Sequence, residues 1–172
     1  MGGPVYDRYT ELKFYIRNTE PKMNLEKFRG VFPPVPTIVD GKGRLDRAGM
    51  AKLIDKLVAD GVNGMLFLGS GGEFSHMPKE LRFEVAEFVV AHTAGRVPVL
   101  IGISSPSTAE AIEYGRHADK LGVDGLLVVN PYYALLARDY IYNHFRTVAE
   151  AVKTPVLLYN FPALTKQNLD IE

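Results

Sequence analysis

The chain has 172 residues, of which 47% are hydrophobic, and its twenty basic residues balance its twenty acidic residues. A chain of this size and apolar content can bury the core of one domain, and a formal net charge of zero gives no indication of a nucleic-acid partner. It contains no cysteine, which excludes a disulfide framework, a thiolate nucleophile and a zinc-thiolate site.

Residues 1–23 form a mixed-charge stretch without a continuous apolar run. This pattern predicts an N-terminal extension rather than an export signal. The longest apolar runs, such as residues 97–103, contain Pro98 and Gly102 and are too short to span a bilayer. We therefore expect a soluble, cytoplasmic protein whose compact domain covers residues 24–172.

From Arg29 onward, apolar runs typical of strands alternate with amphipathic runs typical of helices. The strand candidates are apolar at successive positions, as expected for strands buried on both faces of a parallel sheet. They cover residues 30–37, 64–68, 97–101, 125–129 and 155–159. Apolar residues recur at helical spacing in the stretches between them, namely residues 50–58, 81–89 and 141–152.

Helix boundaries are marked by residues that commonly cap helices. Asp46 is expected to cap the first helix, and Ser107 with Glu110 to form a capping box. Glycines at 61 and 122 follow predicted helix ends, and the proline at 78 suits a first helical turn.

Two segments repeat along the chain at similar offsets. Residues 61–68 (GVNGMLFL) match residues 122–129 (GVDGLLVV) 61 positions later, and residues 97–100 (VPVL) match residues 154–157 (TPVL) 57 positions later. Each offset spans two strand–helix units, and eight such units would make about 250 residues, the usual size of a (β/α)8 barrel. The repeat predicts either an incomplete barrel of about four units plus a fifth strand, or a doubly wound sheet of the flavodoxin kind.

The position of the glycine-rich loop favours the barrel. In dinucleotide-binding folds such a loop follows the first strand, but here it follows the second and lacks the Gly-x-Gly-x-x-Gly and P-loop patterns. Polar segments follow the second, fourth and fifth strands, as in a mouth shared by many strands. They are GSGGE at 69–73, NPYY at 130–133 and YNFP at 159–162. We expect one cavity in which glycine amides bind an anion and phenols move protons.

In order and spacing, these segments resemble the dihydrodipicolinate synthase/N-acetylneuraminate lyase family, from about residue 23 to residue 172. The resemblance also includes VLIG at 99–102 and extends the last segment to YNFPALT at 159–165. It implies a class I aldolase on a (β/α)8 barrel, usually a homotetramer, which condenses or releases pyruvate through a lysine Schiff base. The implied partners are a 2-keto acid and further copies of the chain, with no membrane, no nucleic acid and no metal or organic cofactor.

The resemblance also implies roles for individual residues. Ser70, with the amides around Gly71 and Gly72, would hold the pyruvate carboxylate. Tyr159 would transfer protons beside the Schiff base. Ser70 and Tyr133 would act in the same proton relay, with Tyr133 lent to a neighbouring subunit.

Two departures from the synthases narrow the substrate. The synthases usually carry two threonines where this chain has Ser70 and Gly71, and an arginine for the second substrate's carboxylate where this chain has Leu164. Loss of that guanidinium removes a bidentate carboxylate partner. The chain is more similar to aldolases that split 2-keto-3-deoxy sugar acids into pyruvate and an aldehyde. Glu73 is expected to order the loop rather than to transfer protons.

In the family, the Schiff-base lysine stands on the sixth strand. Residues 1–172 contain only five predicted strands, so we expect this lysine to be missing from them. The lysines in helical stretches fit solvated surface, and Lys166 lies near the mouth but in a loop segment. The hypothesis is therefore the N-terminal half of a 2-keto-3-deoxygluconate-type aldolase. The alternatives are a 4-hydroxy-tetrahydrodipicolinate synthase, a catalytically inactive half-barrel that binds a partner, and a flavodoxin-like phosphate binder. A half-barrel would leave its first and fifth strands unpaired and apolar surface uncovered.

Overall fold

The computed structural model describes residues 13–14 and 25–169. Their five strands form one sheet with the order β1-β5-β4-β3-β2. Strands β2 to β5 are parallel, and β1 is antiparallel to β5. The strands are β1 (Lys13–Phe14), β2 (Met65–Phe67), β3 (Val99–Gly102), β4 (Gly125–Val129) and β5 (Val156–Tyr159).

The parallel strands follow one another in chain order and so decide between the two predicted architectures. A flavodoxin-like sheet has the strand order 2-1-3-4-5, whereas the strands of a (β/α)8 barrel are added sequentially. The order β2-β3-β4-β5 therefore confirms an incomplete α/β barrel and excludes the doubly wound alternative.

The prediction of a regular first strand at residues 30–37 is wrong. This run lies beside β2 in an extended conformation, and the two are joined by the parallel bridge between Pro34 and Leu66. The Val35 amide donates to Leu66 O at 2.8 Å, and the Leu66 amide donates to Pro33 O at 3.1 Å. Prolines at 33, 34 and 36 supply no amide hydrogen, so a continuous ladder cannot form.

Four helices pack on one face of the sheet, where they bury the main core. They are α1 (Arg47–Ala59), α2 (Lys79–Thr93), α3 (Thr108–Leu121) and α4 (Arg138–Ala151), and a short helix, α5 (Pro162–Thr165), follows β5. Alternate strand residues such as Met65, Phe67 and Val128 face this layer and are almost fully buried. None of the helices in the described part of the chain is long and apolar enough to cross a membrane.

The predicted caps form with two differences, one of which is that Pro78 stands at the N-cap of α2 rather than in its first turn. The Asp46 carboxylate accepts from the Gly49 amide at 2.9 Å, as expected for an N-cap. Only half of the capping box at Ser107 forms, because the Glu110 carboxylate instead accepts from the Ser105 hydroxyl. Helix α3 ends at Gly122, whose φ of +72° is the conformation that glycine supplies most readily.

The fifth strand, β5, was expected to have an unpaired edge. This expectation is wrong for the part of β5 that pairs with β1. Lys13 pairs with Leu158 and Phe14 with Leu157. The remainder of the predicted extension at residues 1–23 lies outside the described residues, so its boundary stays a prediction.

The second sheet face carries a smaller apolar cluster. Leu100, Leu127 and Leu157 are only 5%, 5% and 2% exposed, and Phe28 and Phe32 pack against them. The expectation that this face would be uncovered is therefore wrong for these three leucines.

Candidate active site

The three polar segments follow strands that end at the same edge of the sheet. Phe67 pairs with Ile101, Gly102 with Leu127, and Val129 with Tyr159. Because β2 to β5 are parallel, the segments that follow them leave the sheet on one side. The topology thus brings the glycine-rich loop, the tyrosine pair and Tyr159 to one mouth, as the sequence predicts.

The glycine-rich loop begins with an abrupt turn at Leu68, which is buried and has a φ of +54°. Residues Ser70–Gly72 then form a 3-10 turn. The Gly72 amide donates to Gly69 O at 2.9 Å, and the Thr37 hydroxyl donates to Gly72 O at 2.9 Å. The Gly72 amide is thus used within the turn, whereas Ser70 is partly exposed and Gly71 is exposed.

Glu73 links this turn to a second 3-10 turn, Phe74–His76. Its backbone adopts a left-handed conformation with a φ of +61°, and its amide donates to Ser70 O at 3.1 Å. The Glu73 side chain is exposed. These features suit the expected role of Glu73 in shaping the loop.

The two adjacent tyrosines have different surroundings. Tyr132 is half-buried, and its ring centroid lies 6.0 Å from that of Phe74 in an edge-to-face contact. Burial raises the pKa of Tyr132, an effect that the nearby Arg82 charge opposes. Tyr133 is fully exposed and has a φ of +81°, an uncommon conformation for a bulky residue.

Tyr159 ends β5 and packs against the leucine cluster on the second sheet face. Its ring centroid lies 5.2 Å from that of Phe161. Burial raises the pKa of Tyr159. The phenol therefore stays protonated at neutral pH. It can donate its proton, but it can accept a proton from the substrate only if a partner group takes the phenol's own proton.

Gln167, which the sequence gave no reason to select, joins the loops after β4 and β5. Its side-chain amide donates to Leu136 O at 2.6 Å, and its side-chain oxygen accepts from the Leu136 amide at 2.8 Å. Its backbone carbonyl accepts from the Thr165 hydroxyl at 3.0 Å and makes a longer contact of 3.5 Å with Asn130 Nδ2. Asn130 is completely buried.

The model of the dihydrodipicolinate synthetase family matches residues 27–172. The chain belongs to this family. YagE of Escherichia coli (strain K12), named provisionally as a 2-dehydro-3-deoxy-D-gluconate aldolase, is 49% identical over 142 residues, which cover 83% of this chain and 47% of YagE. Its crystal structure in complex with pyruvate has a TM-score of 0.81 and 48% identity, with coverage of 83% of this chain and 48% of that chain.

Two further relatives are named for different reactions. YjhH of the same strain, named provisionally as a 2-dehydro-3-deoxy-D-pentonate aldolase, is 44% identical, and the match covers 86% of this chain and 49% of YjhH. A 4-hydroxy-tetrahydrodipicolinate synthase of Gluconacetobacter diazotrophicus is 36% identical, with coverage of 87% and 50%. The chain thus spans about half the length of the curated relatives it matches.

Arg82 is a second residue that the sequence reasoning missed. It lies on α2 and is 4% exposed, although it carries a charge. Its guanidinium donates to Ser104 O at 3.0 Å and to Gly102 O at 3.3 Å, both at the end of β3. A signal was present in the sequence, because Arg82 lies three residues before Val85 on the apolar face of α2.

Leu164 and Lys166 lie in and directly after α5. Leu164 is 61% exposed, so it presents an apolar side chain at the surface. The Lys166 ammonium donates to Ala163 O at 2.7 Å and is exposed, which is typical of a solvated helix cap. Among the residues that the structure describes, no three His, Asp or Glu side chains are grouped as metal ligands.

Proposed function

We propose that this chain forms the pyruvate-binding half of an aldolase that cleaves 2-keto-3-deoxy sugar acids to pyruvate and an aldehyde. The greater similarity to YagE and YjhH, at 49% and 44% identity, carries this proposal. The matched 4-hydroxy-tetrahydrodipicolinate synthases are between 35% and 40% identical. The exposed Leu164 supports the same choice, because a leucine cannot pair with the carboxylate of a synthase substrate.

In this proposal the glycine-rich loop holds the pyruvate carboxylate. The Ser70 hydroxyl and the amides of Ser70 and Gly71 donate to this carboxylate. Gly72 instead stabilises the turn through its hydrogen bonds to Gly69 and Thr37. A carboxylate that accepts two or three such donors is held both by charge-assisted hydrogen bonds and by their geometry. A substrate carboxylate fixed in this way leaves the neighbouring carbonyl carbon to face the attacking amine.

Tyr159 is the proposed proton-transfer group, and Tyr133 and Ser70 are its relay. Cleavage of a 2-keto-3-deoxy acid through an imine requires removal of the proton from the C4 hydroxyl. The C3–C4 bond then breaks, the C4 carbon leaves as the aldehyde, and the electron pair of the bond passes to the imine to give an enamine. The enamine takes a proton at C3. The raised pKa of Tyr159 means that its phenol passes a proton on rather than resting as a phenolate. In this proposal the exposed Tyr133 is lent to the relay of a neighbouring subunit.

The imine-forming lysine in this proposal comes from the second half of the barrel. Lys166 is committed to the carbonyl of Ala163 at the end of α5. Other described lysines, such as Lys56, pair with surface carboxylates. None of these ammonium groups is in the desolvated setting that an imine-forming amine requires.

A fusion protein tests the proposal. Residues 1–172 are joined to the half of YagE that the match does not cover, and pyruvate release from 2-dehydro-3-deoxy-D-gluconate is measured. Formation of 4-hydroxy-tetrahydrodipicolinate is measured in parallel, with a Ser70→Ala fusion as the matched control. We expect sugar-acid cleavage that the Ser70 change lowers. A preference for the synthase reaction would favour the second function, and a folded fusion with neither activity would favour a binding role.

A further inference from the structure

We infer that Arg82 is a positioning residue that fixes the three strand-end loops of the mouth relative to one another. This inference rests on the proposed function, because it takes those loops to be the pyruvate site. Arg82 itself lies behind the mouth, on α2, and is not expected to touch the substrate.

The first connection runs from Arg82 to the glycine-rich loop. Its guanidinium carbon lies 5.2 Å from the ring centroid of Phe74, which follows that loop directly. Its donor bond to Gly102 O holds the residue against which the Leu68 carbonyl packs. Arg82 therefore braces both the beginning and the end of the loop that contains Ser70.

The second connection runs to the tyrosine pair. Phe74 lies between Arg82 and Tyr132, with its ring in edge-to-face contact with that of Tyr132. The Arg82 charge also acts on the Tyr132 phenol. A change in the guanidinium is thus transmitted to the backbone that presents Tyr133.

The third connection runs through Ser104 to β4 and β5. The Ser104 carbonyl accepts from Arg82, and its hydroxyl accepts from the Val129 amide at 2.9 Å. Val129 is the register partner of Tyr159. One side chain on α2 is therefore linked to the ends of all four parallel strands.

The chemistry of the site explains why an arginine is needed. Its planar fork donates to two carbonyls while its face stacks on the Tyr114 ring, 3.6 Å from the guanidinium carbon. A lysine ammonium is a compact charge that cannot reproduce both contacts. The buried Arg82 Nε makes no hydrogen bond to another described residue, so the guanidinium is held by its two carbonyl partners and by the aromatic rings.

The test compares three variants of the full chain. Arg82→Met removes the fork at similar length, and Arg82→Lys keeps the charge. Arg96→Met is the matched control, because Arg96 also donates to two backbone carbonyls, those of Thr93 and His92, but at the C-terminal end of α2. Backbone amide spectra are recorded without ligand and during titration with pyruvate, and thermal unfolding is followed in parallel.

We expect both Arg82 variants to shift the amide signals of Ser70, Gly71 and Tyr132 and to weaken pyruvate binding about tenfold or more. The Arg96 variant should lower the melting temperature while leaving those signals and the affinity unchanged. If Arg82→Met does not fold, the same amide signals and the same affinity measured on Arg82→Lys decide the test. Unchanged loop signals in the folded Arg82 variants would overturn the inference. Shifted loop signals with no pyruvate binding by the unsubstituted chain would support the positioning role and refute the proposed function instead.

Discussion

The carbonyl of Leu68 packs directly against the Cα of Gly102. A Cβ built on Gly102 would overlap the Leu68 oxygen and lie 2.6 Å from its carbonyl carbon. This contact lets the chain leave β2 with a positive φ at Leu68 and enter the glycine-rich loop. Position 102 therefore has room only for glycine. The path of the chain into the mouth depends on this glycine, although Gly102 itself lies on the neighbouring strand, β3.

The first prediction concerns this contact. Gly102→Ala should lower the free energy of unfolding by about 2 to 3 kcal/mol, because backbone atoms on both strands must move to admit a methyl group. Urea denaturation measures the change. Gly41→Ala is the control, since no atom of the described residues lies within 4 Å of a Cβ there, and it should change stability by less than about 0.5 kcal/mol. Equal effects of the two substitutions would contradict the close packing of the two strand ends.

The second prediction concerns proton transfer by Tyr159. In the fusion with YagE, Tyr159→Phe should lower kcat by about a hundredfold or more and leave KM nearly unchanged, because only the hydroxyl is removed. Steady-state cleavage of 2-dehydro-3-deoxy-D-gluconate measures both constants. Tyr140→Phe, at an exposed position on α4, should leave both constants as they are. A rise in KM alone would instead assign Tyr159 to substrate binding.

The third prediction concerns substrate choice at Leu164. Leu164→Arg should introduce a guanidinium near the mouth, and so raise the ratio of synthase to sugar-acid cleavage activity in the fusion. The two rates measured on one preparation give this ratio. Val31→Arg places the same charge at another exposed apolar position and should not alter the ratio. Equal ratios for both arginine variants would remove Leu164 from the specificity argument.

The fourth prediction concerns pH and His144, a buried residue on α4. Its Nδ1 lies 2.9 Å from the Thr108 hydroxyl, and its Nε2 makes no hydrogen bond to another described residue. Burial lowers the pKa of His144 from the usual 6.5. The folded state therefore binds this proton less readily than the unfolded state. The corresponding stability is present above pH 6.5 and is lost as the pH falls through the folded-state pKa, by at most about 1.4 kcal/mol per pH unit.

Unfolding measured between pH 7.5 and pH 5 tests this assignment. His144→Asn keeps a polar group near Thr108 and removes the titration, so its stability should change less across this range. The exposed His76→Asn should keep the pH dependence of the unsubstituted chain. If the two variants respond alike, the acid sensitivity belongs to other groups.

The sequence predicted the parallel core of the fold because its pattern is strong there. Four apolar runs became β2 to β5 within two residues at each end, since short, wholly apolar runs rich in Val, Leu and Ile are typical of strands buried on both faces. The run at 30–37 was misjudged because its apolar content outweighed its prolines. The β1–β5 pairing had no signal in the pattern, since two residues carry too little periodicity to define a strand.

The candidate site was predicted in part for a similar reason. Ser70, Tyr133 and Tyr159 stand in segments that interrupt apolar strands, so their placement at one edge followed from topology. Arg82 and Gln167 were missed because they act through backbone carbonyls of distant loops, which single-sequence patterns do not reveal. For Arg82, the sequence offered one indication of a buried role, namely its position within the apolar face of α2.

Pyruvate titration of the full 172-residue chain, followed by backbone amide shifts, tests the central claim most directly. The account predicts saturable shifts centred on Ser70 and Gly71, with smaller shifts at the ends of β4 and β5. Binding should be weaker in Ser70→Ala, which loses the hydroxyl but keeps the backbone amides. The control Ser75→Ala alters an exposed hydroxyl in the following turn and should bind pyruvate as the unsubstituted chain does. Shifts confined to another part of the chain, or an unchanged pyruvate affinity in Ser70→Ala, would contradict a carboxylate clamp at this loop.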